Sequence, residues 1–285
     1  MLSHPRIAPS DVVIGSFLVV VIGVFAITPA PTSAVLVHAG ILAAFVIAIG
    51  IAASRPSATW SPWLRSIATV ATLLTLYLTI WKPAFVAMGG GRDALLADID
   101  QWLFGGHDPV LSVAARVTPF AVEFFSFIYG WFIPYIYLST FLGCFGRPEE
   151  ERRVFLFGLS LTYALSYLGY LFVPAHGPIL HFEFARELQG GFFHGLVVSS
   201  IEAAGGPHGA FPSLHVGATI YLTLFDLRHN RLRGMTYVPV AILIAVATIV
   251  LRYHFVVDLI AGLLIASAGL YVAEKTRQLE TTEEA

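Results

Sequence analysis

Residues 33–53 read SAVLVHAGILAAFVIAIGIAA, a run without a single Asp, Glu, Lys or Arg. A helix needs about 20 apolar residues to cross the hydrocarbon of a bilayer. Inside lipid only a helix or a closed barrel satisfies every backbone N–H and C=O. This run therefore predicts a transmembrane helix, and similar runs recur along the chain. They extend over 11–29, 61–81, 117–143, 154–173, 212–227, 237–251 and 254–273, which gives eight expected spans. The expected fold is an all-α integral membrane protein.

Composition agrees. Of 285 residues, 57% are apolar and 12% charged, and the mean hydropathy is +0.78. Soluble domains carry about 25% charged residues, so a water-facing surface cannot be covered. This excludes a soluble enzyme and a disordered chain, and a lone cysteine, Cys144, excludes an internal disulfide scaffold. A net charge of −2 provides no basic field, so no nucleic-acid partner is expected. No cleaved leader is expected at residues 1–34, because the first apolar run is long enough to span and a second follows at once. Ten histidines stand out, since ionisable groups at membrane depth are costly and usually functional.

If the spans alternate, Arg6, Arg55, Arg65, Arg147, Arg152, Arg153, Arg228, Arg231, Arg233, Lys275 and Arg277 fall on one side. The positive-inside rule makes that side cytoplasmic, with both termini there. No organelle signal is visible, so a bacterial inner membrane is expected. Lys82, Arg92, Arg116, Arg186 and Arg252 fall on the opposite face. They are either anion-binding candidates or interfacial anchors that snorkel.

Two segments lie outside the spans. Residues 92–104 place Leu95, Leu96, Ile99, Trp102 and Leu103 on one helical face and Asp93, Ala97, Asp98, Asp100 and Gln101 on the other, which predicts an interfacial helix. The outer loop 174–211 holds His176, His181, His194 and His208. The tail after Glu274 reads as a polar helix end.

His215 follows Pro212-Ser213 at the start of the sixth run. Proline fits a first helical turn and serine caps exposed amides, and a helix N-terminus favours an anion. His254 and Asp258 open the last run four residues apart, so they share a helical face. The carboxylate can hold the Nδ1 proton and leave Nε2 as nucleophile or base. Alternation of the last three spans puts His215 at the same outer depth. Two histidines and an aspartate could also hold zinc, but no His-x-x-x-His pair reinforces that reading, and no metal is expected.

The segments Phe211-Pro212-Ser213-Leu214-His215 and Tyr253-His254-Phe255-Val256-Val257-Asp258 resemble the second and third signatures of the type 2 phosphatidic acid phosphatase superfamily. The Pro-Ser-Leu-His form looks closest to the inositol phosphorylceramide synthase branch. Asp100-x-x-Leu103-Phe104-Gly105 and Pro174-x-x-x-Pro178 add to the likeness, which covers roughly residues 80–273. The resemblance implies a six-helix catalytic core within residues 59–285, with two further spans in 1–58. It implies phosphoryl transfer through a phosphohistidine: His254 attacks phosphorus, Asp258 orients it, and His215 protonates the leaving oxygen. No cofactor is implied. The third signature's usual arginine is replaced by Thr248, and the first signature is absent in its usual form. Lys82, Arg92, Ser213, Arg252 and His176 are the candidates for holding the phosphate. The expected partners are a membrane lipid substrate and a polyol or lipid acceptor, with hydrolysis and transfer both open. The alternative is a transporter with a His/Asp polar path, which would place its polar groups near the midplane.

Overall fold

Proline in the first turn opens several of the long helices, where its missing N–H costs nothing. The computed structural model describes residues 7–283, in which the regular elements are all helices, without a strand. His4 and Arg6 lie outside the described residues. In chain order the helices are α1 (Pro9–Ile27), α2 (Thr32–Ser54), α3 (Ser61–Thr79), α4 (Trp81–Ala87), α5 (Asp93–Leu103), α6 (Pro109–Ala114) and α7 (Pro119–Phe145). They continue as α8 (Glu149–Phe172), α9 (Pro178–His181), α10 (Phe192–Ala203), α11 (Leu214–His229), α12 (Arg231–Val250) and α13 (Val256–Glu283).

Among the described residues, six helices are long and apolar enough to cross a membrane: α1, α2, α7, α8, α12 and α13. The pair α3–α4, bent by 50°, makes a seventh if counted as one span. The expected count of eight is met only by including α11, which has 16 residues. At 1.5 Å per residue α11 is shorter than the hydrocarbon thickness. It is also largely buried, packed by α8, α12 and α13. A helix shielded by neighbours needs neither full length nor an apolar circumference. The chain after Glu274 continues as helix to Glu283.

Ion pairs identify one end of the bundle. Arg65 meets Asp11, and Arg147 and Arg233 share Asp226. His229 Nε2 lies 2.6 Å from Glu274, and Arg277 reaches Glu150. These contacts join the starts of α1, α3, α8 and α12 to the ends of α7, α11 and α13. The opposite end carries the short helices α5, α6, α9 and α10, and there His176, His208, His215 and His254 come together on one cavity.

α5 turns apolar side chains outward and an acidic one inward. Leu95, Trp102 and Leu103 are exposed, whereas Leu96, Ala97 and Asp100 are buried against the protein. Leu96 thus belongs to the inner face rather than to the outward apolar stripe. The loop 174–211 between α8 and α11, expected on the outer face, contains a 12-residue apolar helix, α10, too short to span. Glu123 of α7 accepts the backbone N–H groups of Gly191, Phe193 and His194, which caps α10 and ties it to the bundle.

Candidate active site

α11 and α13 cross at two glycines. A Cβ on Gly262 would stand 2.5 Å from the Ser213 carbonyl oxygen and 3.1 Å from the Gly217 nitrogen. This approach of small residues sets the two helix starts side by side. Ser213 caps α11 by accepting from the Val216 N–H, and its own N–H donates to the Asp258 carbonyl at 3.0 Å.

His254 sits just before α13 and is 3% exposed. Its Nδ1 lies 2.8 Å from the Ala210 carbonyl oxygen and 3.2 Å from Asp258 Oδ2. A carbonyl only accepts, so Nδ1 carries the proton and Nε2 keeps its lone pair. Nε2 points at His215 Nδ1, 3.4 Å away. Burial, with the nearby His215, holds His254 well below the ordinary imidazole range, so the ring is neutral near pH 7. Asp258 is fully buried, and its Oδ2 also accepts the Phe255 N–H at 2.8 Å. The carboxylate therefore caps its own helix while it faces the imidazole.

α5 holds this arrangement from outside. Asp100, fully buried, accepts the N–H groups of Val256 and Val257 at 2.7 and 2.8 Å. Two turns earlier, Asp93 Oδ1 accepts those of His176 and Gly177 at 2.9 and 2.7 Å. Gly177, at φ +96°, approaches the Tyr253 carbonyl so closely that a Cβ would stand 2.3 Å from its oxygen. One short helix thus fixes both the start of α13 and the turn of the outer loop that packs on Tyr253.

The imidazoles of His176, His208, His215 and His254 line a cavity of about 550 Å³ walled by α3, α7 and α10. The His215 ring packs against Phe132 and Tyr129 at 4.4 and 4.7 Å between centroids. The remaining sequence-derived candidates are placed differently. Arg252, the only non-glycine residue at positive φ among those described, donates to the Arg186 carbonyl and lies 3.9 Å from the Phe184 ring. Its own carbonyl accepts the Ile179 N–H. It staples the outer loop to the α12–α13 turn and does not line the cavity. Arg92 donates to the Met88 carbonyl. Ser213 acts as a cap. Lys82 is exposed beside the Trp81 ring, and its charge reaches His208. Of the five phosphate candidates, only His176 borders the cavity. No group of three or more His, Cys, Asp or Glu among the described residues converges closely enough to hold a metal ion.

Two histidines on adjoining helix starts, with a carboxylate four residues after the second, recur here with a matching sequence pattern: residues 94–272 match the family model of the PAP2 superfamily. The chain belongs to the PAP2 superfamily. A Dictyostelium discoideum protein named PA-phosphatase related-family protein is 26% identical over 269 residues, covering 78% of this chain and 49% of that protein. The chain spans about half the length of this curated relative. No solved structure matches it. The family match begins inside α5 and ends within α13, so the PAP2 region holds Asp100, His215, His254 and Asp258, while α1 to α4 lie before it. The sequence reading missed Gly217 and Gly262, whose role depends on a crossing between distant helices. It noted Asp100 within a likeness but put it on the polar face, because burial against α13 leaves no local trace.

Proposed function

We propose that this PAP2 chain is a membrane phosphoryl-transfer enzyme acting through a phosphohistidine on a lipid-linked phosphate. The observation that carries the reading is the fixed tautomer of His254. Its Nδ1–H is committed to the Ala210 carbonyl, which leaves Nε2 as a lone pair beside His215 in the cavity. In the first step Nε2 attacks phosphorus, the bond from phosphorus to the leaving oxygen breaks, and His215 gives that oxygen a proton. Asp258 offsets the positive charge that develops on the ring. In the second step water or an alcohol attacks phosphorus, its proton passes to His215, and the bond from phosphorus to Nε2 breaks, which returns the lone pair to His254. The α11 N-terminus is the proposed contact for the phosphate oxygens, with Lys82 supplying positive charge from outside the cavity. No step needs a metal or a nucleotide.

A lipid substrate is supported by the walls around the histidines. The cavity is bounded by Leu78, Trp131 and Ile133, and a second cavity of about 530 Å³ follows farther along the same helices, lined by Val70, Leu74, Ile136 and Phe141. Both lie between α3 and α7, a path suited to an acyl or prenyl chain. The likeness to the inositol phosphorylceramide synthase branch favours transfer of a phospho-headgroup to a lipid or polyol over simple hydrolysis. In this reading residues 59–285 form the catalytic unit, the site faces the non-cytoplasmic side of a bacterial inner membrane, and both termini are cytoplasmic. The test uses purified protein with lipid phosphates and phospholipids, with and without inositol. Free phosphate marks a phosphatase and a new phosphorylated product marks a transferase. Replacing His254 with Ala abolishes turnover and phosphoenzyme; full activity in that variant refutes the nucleophile.

A further inference from the structure

Two other imidazoles of the cavity are held as firmly as His254, and nothing in the reaction above uses them as a pair. His176 Nδ1 lies 2.9 Å from the Pro207 carbonyl oxygen, and His208 Nδ1 lies 2.6 Å from the Gly206 carbonyl oxygen. Each ring is stacked flat on an aromatic side chain of α4. His176 lies 4.2 Å from Phe85 and His208 lies 3.9 Å from Trp81, between centroids. The backbone of His176 is pinned in turn by Asp93. Orientation of both rings is therefore set by a carbonyl on one side and a stacked face on the other. Both residues border the cavity that holds His215 and His254.

The chemistry of the free edges follows. Each Nδ1 faces a pure acceptor and so holds the ring proton, which leaves each Nε2 a bare acceptor when the ring is neutral. Neither Nε2 has a partner among the described residues. Burial pushes His208 down from the ordinary imidazole range, and the charges of His176 and Lys82 push the same way, so its neutral form is the relevant one. A neutral Nε2 repels a phosphate oxygen, since both offer lone pairs, but accepts from a hydroxyl.

We infer that His176 and His208 form a hydroxyl-binding subsite of this cavity, which receives a polyol carried either as a lipid headgroup or as a free acceptor. The role rests on the phosphotransfer reading above only for what becomes of the polyol once bound. His176, a phosphate contact in the sequence reading, is here assigned to hydroxyls instead.

Trp81, stacked on His208, supplies a readout that needs no turnover. The full chain in phosphatidylcholine nanodiscs is titrated with myo-inositol and, separately, prepared with phosphatidylinositol in the bilayer, while tryptophan emission is followed. A saturable change, absent in W81F, is expected in at least one arm. Response to free inositol identifies an acceptor site, and response to phosphatidylinositol alone identifies a headgroup site. H176F and H208F keep a flat ring on α4 and lose the acceptor. Each should weaken the response by about tenfold, roughly one hydrogen bond. If either fails to fold, the Leu variant at that position, which also lacks an acceptor, takes its place. The inference is overturned if neither arm responds, if the variants respond as wild type, or if inorganic phosphate elicits the same change and loses it in the same variants. Active His254→Ala protein would refute the phosphohistidine and leave this binding result standing, so the two failures are distinct.

Discussion

The Asp100 carboxylate receives the Val256 N–H at 2.7 Å, across 156 positions of sequence. It takes the next amide as well, so a helix lying outside the bundle caps the helix that begins just after His254. Replacing Asp100 with Ala leaves two amides without their acceptor. The expected cost is about 1–2 kcal/mol of stability. A larger loss is expected in the rate of phosphoenzyme formation, because the start of α13 shifts with its cap. Thermal unfolding and single-turnover labelling measured on the same preparation separate the two effects.

Gly262 is expected to tolerate no side chain. A methyl group there would stand 2.5 Å from the Ser213 carbonyl, so α11 and α13 must part. Gly262→Ala should cost about 1–3 kcal/mol and should slow turnover in the protein that remains folded, since His215 and His254 move with those helices. Gly40→Ala, where nothing lies within 4 Å, is the control and should behave as wild type.

Asp258→Asn tests charge separately from shape. The amide oxygen can still accept the Phe255 N–H that Asp258 Oδ2 takes at 2.8 Å, so the helix cap survives. The ionisable carboxyl that faces the imidazole is replaced by an amide that cannot ionise. Turnover should fall by about 10²-fold or more while the melting temperature changes little. Equal losses in both would assign Asp258 a structural role only.

The neutral state of His254 has a pH signature. Its folded pKa is depressed by burial first and by His215 second. The unfolded chain, with an ordinary value of about 6.5, takes up this proton before the folded chain does. The contribution to stability is therefore complete above about pH 6.5 and is lost as pH falls below it. Thermal unfolding of the wild type and of His254→Phe, followed from about pH 8 to about pH 5, checks this: the wild type should lose stability more steeply below about pH 6.5 than the variant, and parallel curves would show that His254 is not held neutral.

Asp226 marks the far end of the bundle. It is 4% exposed and accepts from both Arg147 and Arg233. Asp226→Asn leaves two guanidinium groups without their shared counter-charge, and the loss should reach about 3–5 kcal/mol. The rate per folded molecule should not change, because the histidines lie at the other end. A drop in rate without a drop in stability would contradict the division between the two ends.

Much of this was readable from local pattern. Residues 33–53 announced a membrane helix by length alone, and the spacing of four brought His254 and Asp258 together, although His254 stands in the turn before α13 and meets the carboxylate at the helix cap rather than along one helical face. Simple alternation of spans placed His215 beside them. The limits have a common cause. α11 fails the length criterion because its neighbours shield it. Arg252 carries a charge that suits a phosphate, yet its φ and its contact with Phe184 turn it to the outer loop. Asp100 looks like a solvated carboxylate until the start of α13 is set against it. For Asp100 and Arg252 the deciding partner lies far along the chain, where neither periodicity nor spacing reports it.

α11 also bears on how the molecule is made. It carries His215, Thr219, Thr223 and Asp226 along 16 residues, a segment that would insert poorly into lipid by itself. Its stable place in the bilayer depends on α12, which returns at once alongside it, and on α13, which closes over Gly217. The histidines therefore cannot meet until α13 has left the ribosome and entered the membrane. A nascent chain truncated before α13 would hold α1 to α12 and none of the assembled chemistry.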